Sequence, residues 1–300
     1  EVTNLFKTLD ALIKEGRTVL YITHKLEEVI NICDFVTIMR NGEVIDSCSI
    51  DKQTAESLAT KMLGERLGEI KTDYSNVSEK INFEVKNLSS QFNDPFFTDL
   101  KDINFTVKHG EIFGIAGVAG NGQSELMDIL TGENNKIDTG KIIFDNKNIE
   151  TFNPKKRRDL SIAFVPENRL GHSAVPELTL SENILLSQFP NNKFINKGVI
   201  IHKNIENHVN KVISQFNVVT PGSDVKASSL SGGNLQKFVI GREILTNPKL
   251  LIISHPTWGI DAGAEFAIRE SLISLAKNGT SIIVLSQDLD ELFEITHRVS

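Results

Sequence analysis

Several residue types and patterns are scarce in this chain, and each scarcity excludes a class. Only two cysteines occur in 300 residues, Cys33 and Cys48. Their spacing fits no metal motif, and two cysteines make no disulfide framework, so they read as free thiols in a reducing compartment. No apolar run approaches the roughly 20 residues that a membrane-spanning helix needs. No charged start followed by a short apolar core marks a secretory signal. Positive charge is in deficit: 32 Lys and Arg face 39 Asp and Glu, a formal net charge of -7. That balance argues against nucleic acid as a bulk electrostatic partner. The one dense basic run, KKRR at 155–158, reads as a solvated helix start. Also missing is an ordinary beginning or end. Glu1 falls inside an amphipathic segment, EVTNLFKTLDALIKEG, and the chain stops at HRVS, as expected of a window cut from something longer. What is present is 40% hydrophobic residues, enough for a core, in a length that suits one large domain or two medium ones.

Residues 1–37 laid against 264–300 without gaps give identities at Leu9/Leu272, Leu12/Leu275, Lys14/Lys277, Gly16/Gly279, Leu26/Leu289, Glu28/Glu291, Ile32/Ile295 and Val36/Val299. Both stretches read as helix, Gly break, apolar strand, polar turn and acidic helix start. So long a period excludes a solenoid and implies two copies of one large domain in tandem. The expected organisation is the end of copy one over 1–64, a polar linker over 65–80 and nearly all of copy two over 81–300. VTIMRNGEVID at 36–46 reads as a hairpin around Asn41-Gly42, with a short helical stretch after it.

In copy two, INFEVKNL and INFTVKHGEIFGIAG read as strands, the second running into GVAGNGQSE at 117–125. Strand, Gly-rich loop, helix is the context of a phosphate site, in which backbone N–H groups and the helix N-terminus form an anion nest. Gly117, Gly120, Asn121, Gly122, Gln123, Ser124 and Glu125 are its candidate residues. Ser124 can offer a hydroxyl to Mg²⁺. Gln123 stands where such a loop carries lysine, so the cation that spans the β- and γ-phosphates is missing. The plain alternative is a Gly-rich turn that binds nothing. A second motif, LSGGNLQK at 230–237, places Ser231, Gly232, Gly233 and Asn234 at the start of a helix; alone, it could be only an N-cap.

With LSGGN followed by Gln-Lys, and a buried strand KLLIIS one helix later, the sequence resembles the ATP-binding cassette (ABC) ATPase subunits of tandem sugar and nucleoside importers. The loop wording GVAGNGQ is most like the second cassette of nucleoside importers. The resemblance covers essentially the whole chain. It implies an α/β fold of P-loop NTPase type, with a mixed sheet core, an antiparallel β subdomain and a helical subdomain at about 170–240. FVPENR at 164–169 resembles the Q-loop with Glu167 in place of glutamine; PTWGIDAGA at 256–264 resembles the D-loop, with Asp261 in its usual place and Trp258 where arginine is usual. Where the family ends its strand in Asp-Glu this chain has Ser254 and His255, and Gln287 replaces the switch histidine. Lysine, Asp, Glu and His are thus all replaced in one site, which implies a degenerate site that keeps its nucleotide. Copy one retains His24 in its switch segment, which the resemblance makes catalytic; otherwise it is a loop histidine. The family's head-to-tail cassettes imply that Ser231, Gly232 and Gly233 cap the ATP held by copy one.

An aromatic is expected to stack on the adenine, Phe92 and Phe96 being the candidates, or else core residues. The implied cofactors are ATP and Mg²⁺. The implied partners are integral membrane permease subunits, a periplasmic or lipoprotein substrate-binding protein acting through them, and the other cassette, with no nucleic acid. The implied place is the cytoplasmic face of a bacterial membrane. Two rivals stand beside this reading. A soluble twin-cassette ATPase acting on ribosomes would carry a longer and more charged linker. A scaffold cassette would bind no nucleotide.

Overall fold

A computed structural model describes residues 2–300 apart from His24, Asn41, residues 65–76, Asn93 and residues 189–192. Most of the expected linker and the expected catalytic His24 therefore lie outside the described residues. The chain divides into two compact units: residues up to 69 with Asp261–Gly263, and residues 70–260 with 264–300.

The first unit runs α1 (Val2–Lys14), α2 (Leu26–Ile32), β1 (Phe35–Arg40), β2 (Glu43–Ser49) and α3 (Ala55–Leu63). β1 and β2 pair antiparallel as the expected hairpin; Gly42 takes the left-handed φ of 83° that its turn needs, and Asn41 is not described. Thr54 caps α3 in a reciprocal capping box with Ser57. Val29, Ile38 and Leu58 form a small core. The strand expected over 18–22 does not form. Leu20 is 87% and Ile22 is 89% exposed, and no strand pairs with them among the described residues. An isolated extended segment has no ladder partner for its N–H and C=O groups, so β-propensity alone does not hold it.

The second unit opens with β3 (Ile81–Ser90) and β4 (Leu100–Lys108), antiparallel neighbours. The run INFTVKHGEIFGIAG does not continue as one strand. It turns at Gly110 (φ 75°), and β5 (Ile112–Ala116) enters a different sheet. There follow α4 (Gln123–Thr131), β6 (Thr139–Phe144), β7 (Lys147–Asn148), α5 (Pro154–Asp159), β8 (Ile162–Val165), α6 (Leu180–Ser187), β9 (Ile195–Asn196) and β10 (Val199–Ile200). The unit closes with α7 (His202–Gln215), α8 (Gly232–Ile244), β11 (Leu250–Ser254), α9 (Ala262–Lys277), β12 (Ser281–Ser286), α10 (Leu289–Ile295) and β13 (Arg298–Val299).

A parallel sheet has the order β13-β5-β12-β11-β8, and an antiparallel sheet has the order β4-β3-β6-β7. The strand LLIIS shows why the parallel sheet is central. Leu250 and Ile252 pack with Phe83, Phe113 and Leu130 on one face, while Leu251 and Ile253 pack with Phe238, Leu272 and Leu292 on the other. Period-2 alternation of wholly apolar residues fills both layers at once. The helices α6, α7 and the first part of α8 lie within residues 170–240.

The KKRR run corrects one expectation. It does start a helix, capped by Asn153 with Pro154 in the first turn. It is not solvated throughout. Arg157 is wholly buried and donates to the carbonyls of Phe152, Leu130 and Ile149, and burial lowers its pKa to about 10. Arg158 lies over the Phe164 ring and pairs with buried Glu243 at 2.8 Å.

Candidate functional site

Register fixes where the candidate residues meet. Ala116 pairs with Ser286, Leu285 with Ser254, and Ile253 with Val165. The parallel strands therefore end side by side, and the chain leaves them as the Gly117 loop, Gln287, His255 and the Pro166-Glu167 turn. The carboxyl ends of an open parallel sheet are where ligands bind in such folds.

The loop itself is shaped by glycine. Gly120 (φ 86°) and Gly122 (φ 99°) take left-handed conformations, and a Cβ on Gly122 would fall 2.9 Å from Leu100. Among the described residues, no backbone N–H from Val118 to Glu125 donates a hydrogen bond. Such a row of unpaired donors at a helix N-terminus suits a polyphosphate. Gln123 turns back into the loop. Its Nε2 donates to Val118 O at 3.1 Å, as does Asn121 Nδ2 at 3.1 Å, and it fills the space where Gly117 lacks a side chain. An amide has two N–H donors but no charge, so the loop keeps its shape and lacks its cation. Ser124 is exposed on the first turn of α4. Glu125 is buried and turned away from the loop, its Oε1 accepting Thr98 N–H at 2.9 Å.

At the other strand ends, Ser254 is buried, and His255 adopts a left-handed φ of 47° while donating its N–H to Leu285 O at 2.8 Å. His255 Nε2 lies 3.9 Å from Glu167 Oε2, too far for a hydrogen bond and close enough for an ion pair once the imidazole is protonated. Gln287 is exposed. The donor set for a divalent cation is thin. Among the described residues no three His, Cys, Asp or Glu side chains come together. Ser124 after β5 and Glu167 after β8 are separated by two strands, β12 and β11. These residues do not fit a firmly held Mg²⁺.

The second motif is a built helix start. Ser231 caps α8, its Oγ accepting Asn234 N–H at 3.4 Å and Asn234 Nδ2 at 3.0 Å, while Asn234 Oδ1 accepts Val219 N–H at 2.9 Å. Gly232 and Gly233 add no side chain to the tip. Gln236, just over one turn in, donates to the carbonyls of His255 and Pro256 and so ties α8 to the end of β11. Sequence reasoning missed Arg169. Its guanidinium stands where a Cβ on Gly232 would fall 2.8 Å away, and it donates to Trp258 O. Burial lowers its pKa. It lies within FVPENR, a stretch read only for Glu167. Thr98 was missed as well. Its Oγ1 donates to Gly120 O at 2.9 Å. Of the two aromatics, Phe92 stacks on Phe97 (centroids 5.6 Å apart) and packs against the core, whereas Phe96 is 92% exposed. Phe92 is therefore a packing residue, and Phe96 alone is free to stack.

The family model of the ABC transporter matches residues 100–258, just over half of the chain. The chain belongs to the ABC transporter family. It is 36% identical over its whole length to the nucleoside import ATP-binding protein NupA of Lactococcus lactis, covering 59% of that protein. It is 36% identical to the galactose/methyl galactoside import ATP-binding protein MglA of Yersinia pestis, again over 100% of this chain and covering 58% of the relative. It is 35% identical to the ribose import ATP-binding protein RbsA of Bacillus subtilis, over 100% of this chain and 59% of the relative. The chain thus spans a little over half the length of the curated relatives it matches. Among solved structures, a bacterial ABC transporter cassette in dimeric form aligns with a TM-score of 0.61 at 23% identity, covering 71% of this chain and 90% of that one. That likeness bears out the ABC-type fold.

No helix among the described residues is long and apolar enough to cross a membrane.

Proposed function

We propose that this chain is part of the ATP-binding subunit of an ABC importer, with residues 1–64 ending a first cassette and 81–300 forming a second. The transported solute is a nucleoside, or else a simple sugar, in keeping with the names of the relatives. The second cassette binds ATP in the loop at Gly117–Ser124 and does not hydrolyse it. It turns the tip of α8, Ser231 to Asn234, toward the ATP of the first cassette, where His24 contacts the γ-phosphate. The subunit docks on membrane permeases at the cytoplasmic face, and a substrate-binding protein delivers solute to them.

One observation supports this division most: the loop has its unpaired N–H donors and no charge to act on a transition state. A nest of amides binds an anion, whereas turnover needs a positive clamp and an oriented water. Ser254, His255 and Gln287 supply neither the metal carboxylate nor a switch imidazole. ATP, when bound, brings its own triphosphate charge; this chain's residues cradle it and leave it whole. The folding of Gln123 into the loop favours the rival scaffold reading, in which no nucleotide enters.

Single-turnover labelling of the full-length protein separates the two. The proposal expects two ATP bound per chain and one still uncleaved after a chase. One ATP bound per chain would leave the scaffold reading standing. Gln123→Lys is expected to tighten binding without creating turnover, because the carboxylates are still absent; ATPase activity gained from that change alone would overturn the division.

A further inference from the structure

The segment between β3 and β4 is pinned at several of its described residues. Gln91 N–H donates to Asp138, Phe92 N–H to Asp99, and Phe96 N–H to Asp94. Phe92 and Phe97 are stacked. At its far end Thr98 reaches the phosphate loop twice: its N–H to the Glu125 carboxylate in the first turn of α4, and its hydroxyl to the Gly120 carbonyl at the crest of the loop. Phe96, 92% exposed, sits two residues before this double anchor.

Two physical consequences follow. Gly120 has a left-handed φ and nothing within 4 Å of where a Cβ would be; Asn121 and Gln123 brace the loop from within at Val118 O, and the Thr98 hydroxyl braces it from outside at Gly120 O. A lysine would ordinarily draw loop and phosphate together, and Gln123 carries no such charge. Glu125 also places a carboxylate at the helix end where a phosphate is expected, and like charges there repel. Its bond to Thr98 holds that carboxylate inward, where it is buried.

We propose that Thr98 is a positioning residue that makes the base-stacking strap and the phosphate loop one rigid receptor, so that ATP is recognised as a unit rather than as a triphosphate alone. This rests on the reading that the second cassette holds ATP. Thr98 acts through Gly120 and Glu125, and through the fixed placement of Phe96.

The 300-residue chain contains this one Gly-rich phosphate loop, so equilibrium binding reports it alone. The probes are ATP and inorganic tripolyphosphate, measured on the wild-type chain and on Thr98→Val, Thr98→Ser, Phe96→Ala and the Thr98→Val/Phe96→Ala double variant. Valine keeps the backbone N–H and the side-chain volume but loses the hydroxyl. Thr98→Val is expected to weaken ATP about tenfold, as for loss of about 1.4 kcal/mol. The preference for ATP over tripolyphosphate should fall with it. Thr98→Ser should restore both. The double variant should lose little more preference than either single change, because both remove the same coupling. An unchanged ATP preference in Thr98→Val overturns the inference, as does additivity of the two changes. Equal weakening of both probes with a lowered thermal midpoint also overturns it, showing a merely structural threonine. A wild-type chain that binds neither probe overturns the nucleotide reading itself, and this inference with it. Binding by the wild type with no effect of Thr98→Val overturns this inference alone.

Discussion

Residues 17–23 and 280–286 follow the same pattern in the two repeats, yet they fold differently. In the second, β12 lies between β5 and β11, and every residue from Ser281 to Ser286 is buried. In the first, the matching residues form no strand, and Leu20 and Ile22 face solvent. The polar link beside them survives in both. Glu291 accepts the hydroxyls of Ser286 and Thr257, each at 2.6 Å. Its mate Glu28 accepts Tyr21 at 2.6 Å and Thr23, the mate of Ser286, at 3.4 Å. The helix after each turn forms as well, as α2 and α10. Local bonds are carried by the segment, whereas a strand is carried by its neighbours, because its ladder and burial are both non-local.

The largest effect should appear at the strand itself. Ile283→Ala removes a wholly buried side chain and is expected to cost about 3 kcal/mol. Its mate Leu20→Ala in the same 300-residue chain should cost under about 0.5 kcal/mol. Urea and thermal unfolding would compare them; equal costs would break the contrast. Next, Glu291→Ala removes the acceptor of two hydroxyl donors beside a buried position and should cost about 2 kcal/mol, against under about 1 kcal/mol for half-buried Glu28→Ala. Smaller again are the caps. Asp288 accepts the N–H groups of Asp290 and Glu291 at the start of α10, while its mate Lys25 makes no side-chain cap on α2. Asp288→Ala should cost about 1 kcal/mol, and Lys25→Asp should gain about 0.5 kcal/mol by supplying the missing cap.

The smallest contrast is in pH. The first unit has no described histidine, whereas in the second the Glu133 carboxylate, hydrogen-bonded to His172, raises that imidazole's pKa. A raised native pKa means that the pair's stability is fully present below about pH 6.5, the ordinary histidine value. It is lost as pH rises through the raised value. Both side chains are about a third exposed, so the effect is small. The stability gap between wild type and Glu133→Gln should narrow from pH 6 to pH 8; a gap constant with pH would show that His172 carries no charge.

How much of this was legible depended on range along the chain. The 36–46 hairpin, the Ser231 cap and the strand KLLIIS were readable, because turn residues, cap residues and short apolar runs declare themselves locally. Segment 18–22 was misread because its pattern is that of a strand and its lack of partners is not written in it. Arg157 was misread because the carbonyl it reaches at Leu130 lies 27 positions away. The phosphate loop and its lost lysine were plain in GVAGNGQSE, but the bracing of that loop by Thr98 joins residues 22 and 27 apart. Arg169 was hidden for the same reason, since its partner Trp258 is 89 positions away.

As proposed, the second cassette gives its α8 tip to catalysis and withholds its own loop from it. Steady-state ATPase assays on the full-length protein, comparing Gly232→Asp with Gln123→Ala, test this most directly. A carboxylate at the helix tip repels the phosphate that the tip is proposed to cap, and it should lower kcat by about 100-fold or more. Gln123→Ala should leave kcat within about threefold, since that loop performs no hydrolysis. The reverse result, with turnover lost at Gln123 and kept at Gly232, would mean that the second cassette's own loop does the hydrolysis.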